Sequence, residues 1–93
     1  GNALVGGPMD VKTALDSESG SIKGVASPVV GCADVLVFPN IQAGNTFYKT
    51  LTFFAGATVA GLIVGTSAPI VVASRADSDE SKYYSLLMAC RII

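Results

Sequence analysis

Two kinds of apolar pattern alternate along the chain. The first is the continuous run. Residues 34–38 (with Ala33 before them), 59–64 and 70–73 are apolar almost throughout, rich in β-branched side chains and free of polar alternation. Each is too short for a stable helix. Each is bounded by turn formers: Asp34 and Pro39 around the first, Gly65–Ala68 between the second and third, and Pro69 at the start of the third. All three are expected to be strands covered on both faces.

The second pattern has helical spacing. Phe47, Tyr48, Leu51 and Phe54 fall on one stripe, which predicts a helix from about Asn45 to Phe54 with Gly56 as its C-terminal cap. Tyr83, Leu86, Leu87 and Cys90 give a last helix. Asp77 is its expected N-cap, and Glu80, three residues on, completes a capping box. Pro8 reads as the first residue of a short helix, Met9 to about Asp16. The mostly polar Ser17–Gly24 and the stretch Ile41–Gly44 are expected to be loops. Buried strands joined by helices predict an α/β fold, a mainly parallel sheet flanked by helices. The turn between the second and third runs is too tight for a parallel crossover, so these two are antiparallel or unpaired with each other.

Composition changes the picture in one respect. Of 93 residues, 51% are apolar and only 14% charged, against about 25% charged in an ordinary globular chain. A small domain has much surface to cover and needs more charge than this. The sequence reads as the interior of something larger: a fragment of a longer protein, or a subunit that buries its apolar faces in a homo-oligomer. A net charge of −1 without a basic cluster excludes a nucleic-acid footprint. With no histidine, a zinc site or a Ser-His pair cannot be built from this chain alone. Cys32 and Cys90, in residues without a secretory-type leader, are expected reduced and buried, and the compartment cytoplasmic. The uncharged stretch Thr50–Ser74, with Gly61 and Gly65 at helix-packing spacing, is long enough to span a bilayer. Its glycines and Pro69 divide it, and two buried strands with a turn are expected instead of a membrane segment.

In open α/β sheets ligands bind beyond the carboxyl ends of strands. Two segments lie there, residues 40–49 and 74–81. In the second, Ser74 and Arg75 stand together just before a helix N-terminus, where free N–H groups and the helix dipole favour an anion. The guanidinium is a planar, permanent charge suited to phosphate or carboxylate. The alternative is that Arg75 pairs with Asp77 or Asp79 while Ser74 merely caps. In the first segment, Gly44 allows close backbone approach and Asn45 can cap a helix, with Asn40, Tyr48 and Lys49 beside them. The alternative there is a capped surface helix with Lys49 in solvent.

Three stretches carry a resemblance: GPMDVKTALD (7–16), ASPVVGCADVLVFPNIQAGNTFYKTL (26–51) and FAGATVAGLIVGTSAPIVVASRADSDESK (54–82). The succession of PN, AGN, YK and SRADS resembles the C-terminal part of the phosphate acetyltransferase and phosphate butyryltransferase family, with SRADS nearer the butyryl branch. The resemblance implies that residues 1–93 are the C-terminal portion of a phosphate acyltransferase domain, an incomplete fragment of a two-domain, isocitrate/isopropylmalate dehydrogenase-like fold with its active site in the interdomain cleft. It implies the reaction acyl-CoA + phosphate ⇌ CoA + acyl phosphate, with coenzyme A and phosphate as substrates and neither a bound cofactor nor a metal. Arg75 would hold the phosphate, and Ser74 would hydrogen-bond the reacting carbonyl or phosphate. The carboxylate base that acetyl members carry on the following helix falls in register on Ser81, which cannot serve; Asp79 is the candidate beside it, with Glu80 as its neighbour. Asn40, Gly44, Asn45 and Lys49 match a motif near the cleft and are expected to bind substrate. The alternative is a truncated, inactive module that binds an anion or CoA, or serves only in interaction.

Overall fold

The computed structural model describes residues 1–92, which form four helices. The chain divides into two units, Gly1–Pro39 and Asn40–Ile93.

In the first unit a short sequence signal is used twice. Asp10 accepts hydrogen bonds from the Thr13 N–H (2.9 Å) and the Thr13 hydroxyl (3.0 Å), and so caps α1, Val11–Leu15. Asp16 accepts from the Ser19 N–H (3.1 Å) and the Ser19 hydroxyl (2.7 Å), and caps α2, Ser17–Lys23. The helix therefore starts after Asp10 and not at Pro8. The stretch read as a loop is α2, because a carboxylate at the N-cap satisfies orphan amides whatever the polarity of the residues that follow. The two helices pack on Thr13, Ala14, Ser19 and Gly20, all buried. A five-residue helix leaves its last carbonyls open. Gly31 and Ala33 close two of them, donating to Thr13 (3.0 Å) and Ala14 (3.1 Å).

Lys23 reaches from the end of α2 to the Asp10 carboxylate as an ion pair. This contact, followed by the Thr13 N–H and hydroxyl, holds the Asp10 carboxyl well below the usual carboxylate range. A depressed folded value means that the contribution is complete above the unfolded pKa of about 3.9 and is lost as the pH falls from there through the folded value. Asp16, held low by Ser19, acts in the same direction. The melting temperature is thus expected to fall as the solution is acidified below about pH 5, and to fall less steeply in Asp10→Asn. Parallel curves for the two proteins would contradict this.

The second unit begins with α3, Ile41–Phe53. Asn40 caps it through Oδ1 on the Ala43 N–H (2.8 Å), so the helix starts four residues before the expected Asn45. Phe54 is the C-cap, and Gly56, with φ of 63°, turns the chain so that Ala57 donates to the Leu51 carbonyl (3.0 Å). The last helix, α4, spans Asp79–Arg91, and its N-cap is Ser78, not Asp77. The Ser78 hydroxyl accepts from the Ser81 N–H (3.1 Å) and meets the Ser81 hydroxyl (3.1 Å), so Glu80 closes no capping box.

The expected parallel sheet is not formed among the described residues, which contain one isolated antiparallel bridge, Ile63 to Ile70. Of the two arrangements left open for the second and third runs, the bridge is antiparallel. The apolar runs are laid out without ladders. Val37 is 91% and Val64 84% exposed, and Ala14 is the only buried hydrophobic residue among those described. A strand with both faces apolar needs partners on its edges and cover on its faces; among the described residues the single bridge between Ile63 and Ile70 joins these runs, and Val35, Val37, Val64 and Val72 stay exposed. Both cysteines are free and exposed instead of buried. Cys32 sits on the surface loop after α2 and Cys90 in the last turn of α4, where none of the described residues buries them. No helix among the described residues is long and apolar enough to cross a membrane.

Candidate anion site

Residues 74–77 make a clasped turn. The Asp77 N–H donates to the Ser74 carbonyl (3.0 Å), and the Ser74 N–H donates to Asp77 Oδ2 (2.9 Å). The Ser74 hydroxyl accepts from the Ala76 N–H (3.2 Å). Its own proton has no acceptor among the described residues. From α3, the Tyr48 hydroxyl donates to Asp77 Oδ1 at 3.0 Å. Asp77 is engaged on both oxygens, which is why the helix cap passes to Ser78. Arg75 is exposed and makes no ion pair among the described residues; neither Asp77 nor Asp79 holds it. The ion-paired alternative is not what the structure adopts.

The Ser74 amide, then the Tyr48 hydroxyl and the charges of Lys49 and Lys82, hold the Asp77 carboxyl below its ordinary value. Burial first, and then the hydrogen bond and charge of Asp77, push the Tyr48 phenol up. Lys49 lies 5.1 Å from the centre of the Tyr48 ring, within cation–π range, and acts on Asp77 through its charge. Ser74, Arg75, Asp77, Tyr48 and Lys49 are thereby brought to one locality. Behind the turn, a cavity of about 140 Å³ is lined by Tyr48, Gly61, Asp77, Ser81 and Ser85 among others. The Ser85 hydroxyl bridges there, donating to the Ser81 carbonyl (2.8 Å) and accepting from the Gly61 N–H (3.0 Å).

The other expected site residues are placed less tightly. Asn40 spends its carbonyl oxygen on the α3 cap. Gly44 shares a helix stripe with Tyr48, and Asn45 with Lys49, each pair four residues apart. No hydrogen bond links Asn40, Gly44 or Asn45 to the 74–77 turn among the described residues. Asp79 is the first residue of α4, exposed, where a carboxylate suits the helix dipole. Ser81 is buried in its cap bonds. Among the described residues no three metal-ligating side chains gather. Sequence reasoning assigned Asp77 to the cap, or to a pair with Arg75, and placed Tyr48 on an apolar stripe and in the candidate 40–49 segment, but did not join the two. The signal for Asp77 was the second cap candidate beside it: Ser78 followed by Ser81 leaves the carboxylate free to reach back to Ser74.

The family model described as phosphate acetyl/butaryl transferase matches residues 2–90. A phosphate butyryltransferase of Clostridium beijerinckii is 45% identical over 89 residues, 96% of this chain and 30% of that protein. A phosphate acetyltransferase of Thermotoga maritima is 43% identical over 86 residues, 92% of this chain and 29% of that one. The crystal structure of a branched-chain phosphotransacylase from Enterococcus faecalis V583 superposes with a TM-score of 0.80 at 47% identity, covering 91% of this chain and 32% of that one. The chain spans about a third of the length of the relatives it matches. Over nearly all of its residues, in sequence and in fold, the chain belongs to the phosphate acetyl/butyryltransferase family.

Proposed function

We propose that these residues are the C-terminal portion of an enzyme that moves an acyl group between coenzyme A and phosphate. The observation that carries the proposal is the clasped turn, which presents an unpaired guanidinium beside a hydroxyl with a proton to give. In the direction of thioester formation, the CoA thiol attacks the carbonyl carbon of an acyl phosphate. A carbon–sulfur bond forms, the carbon–oxygen bond to phosphate breaks, and the thiol proton passes to a base and on to the departing phosphate. Charge grows on the carbonyl oxygen and on the leaving group. Arg75 binds the phosphate oxygens through its fork, and the Ser74 hydroxyl donates to the carbonyl or phosphate oxygen. Asp79 is the base we assign, a role a carboxylate can fill for a thiol of pKa about 8.5. Lys49 adds positive charge on the approach, with Asn40, Gly44 and Asn45 along the same helix. Phosphate, acyl phosphate and CoA are substrates, and no resident cofactor enters the scheme.

The same reading accounts for the exposed apolar runs. In the longer chain they would join further strands in a mainly parallel sheet, and a second domain would supply the other wall of the cleft. Faces still exposed would be buried in a homo-oligomer in the cytoplasm. Acetyl phosphate and butyryl phosphate, each offered with CoA to the full-length protein, test the reading: thioester should appear as CoA thiol disappears, one for one. The isolated 93-residue chain should show none. Absence of thioester from the full-length protein with both acyl phosphates would sink the assignment.

A further inference from the structure

Arg75 and Asp77 stand two residues apart in one tight turn, opposite in charge, yet they do not pair. A guanidinium and a carboxylate this close in sequence can pair as a charge-assisted fork. Here each carboxylate oxygen already accepts one hydrogen bond. Oδ2 accepts the Ser74 N–H at 2.9 Å, a bond within the turn, and Oδ1 accepts the Tyr48 hydroxyl at 3.0 Å, a bond brought from α3, 29 residues away. Lys49 and Lys82 add their charge on the same carboxylate. A phenol is suited to the task, because it donates one hydrogen bond, brings no charge and leaves the guanidinium field undiminished.

We infer that Tyr48 is a positioning residue that occupies Asp77 and so keeps Arg75 open for the phosphate group of the substrate. This deepens the phosphate acyltransferase reading and rests on it. Without the Tyr48 hydroxyl, Asp77 Oδ1 would be free to compete with phosphate for the guanidinium. The cost would fall on phosphate recognition, while a merely structural loss would lower stability without discriminating between substrates.

The test uses the full-length protein with Tyr48→Phe, Asp77→Asn and the double variant, and inorganic phosphate and acetyl-CoA as varied substrates. Tyr48→Phe should raise KM for phosphate about tenfold and leave KM for acetyl-CoA unchanged. Asp77→Asn, which keeps an oxygen for the Ser74 amide but cannot pair with an arginine as an anion, should restore most of that loss in the double variant. A phosphate KM in Tyr48→Phe equal to that of the parent overturns the inference. So does a double variant as impaired as Tyr48→Phe alone, or an equal rise in both KM values. Arg75→Ala separates the two levels. If it is impaired while Tyr48→Phe is not, the inference alone fails. If it turns over like the parent, the reading beneath fails as well.

Discussion

Arg75→Ala in the full-length protein is expected to lower kcat/KM for acyl transfer by about 100- to 1,000-fold, or about 3–4 kcal/mol of barrier. The size follows from what the side chain is proposed to do. Phosphate leaves carrying charge that grows toward the transition state, and a guanidinium fixed against its oxygens stabilises that charge most where water is excluded. Arg75→Lys should recover part of the loss, because an ammonium restores the charge but not the planar, two-pronged contact. Stability should hardly change in either variant, since Arg75 is exposed and makes no ion pair within the described residues. The measurement is steady-state CoA release with a thermal melt on the same samples. An unchanged kcat/KM, or a loss that tracks a fall in melting temperature, would remove Arg75 from the site.

How much of this was legible in the sequence depends on where each signal sits. The bodies of α3 and α4 could be read because their apolar stripes recur at helical spacing. Their starts were misplaced for one reason: a cap is a single hydrogen bond, and several neighbouring residues can make it. Asn40, just past the first apolar run, caps the helix and brings Ile41–Gly44, expected as a loop, into it. Asp77 and Ser78 both suit an N-cap, and a bond from Tyr48, remote in sequence, decided between them. In the first unit α1 lies within the helix expected from Met9 to about Asp16, and α2 escaped for the converse reason: it is too short for a periodic stripe, and only the aspartate three residues before Ser19 marks it. The apolar runs carry the composition of covered strands, but pairing belongs to whatever lies beside a strand. Val37 and Val64 show that composition alone does not make a sheet. At the site, Ser74 and Arg75 were legible as a pair because their chemistry is local to two residues. The Tyr48 bond to Asp77 behind them was not, because it joins α3 to the turn across 29 positions.

Gly31→Ala should cost about 2–4 kcal/mol of stability, from backbone strain together with overpacking. Gly31 closes the first unit. Its N–H satisfies the Thr13 carbonyl at 3.0 Å, and its φ of 75° lies where only glycine is comfortable. A Cβ there would stand 2.7 Å from the Ser17 backbone nitrogen and 2.8 Å from its Cα. Those atoms belong to the first residue of α2, fixed just after the Asp16 cap, so relief requires the helix itself to shift. Gly24, at the end of α2, separates the two contributions. Its φ of 67° is nearly the same, but a Cβ there meets nothing within 4 Å. Gly24→Ala should therefore show the strain alone, about 1 kcal/mol. Denaturant midpoints of the two variants, at equal slopes, give the comparison. Equal losses at both positions would mean that the contact with Ser17 yields freely, and that the loop from 28 to 33 does not lock α1 to α2.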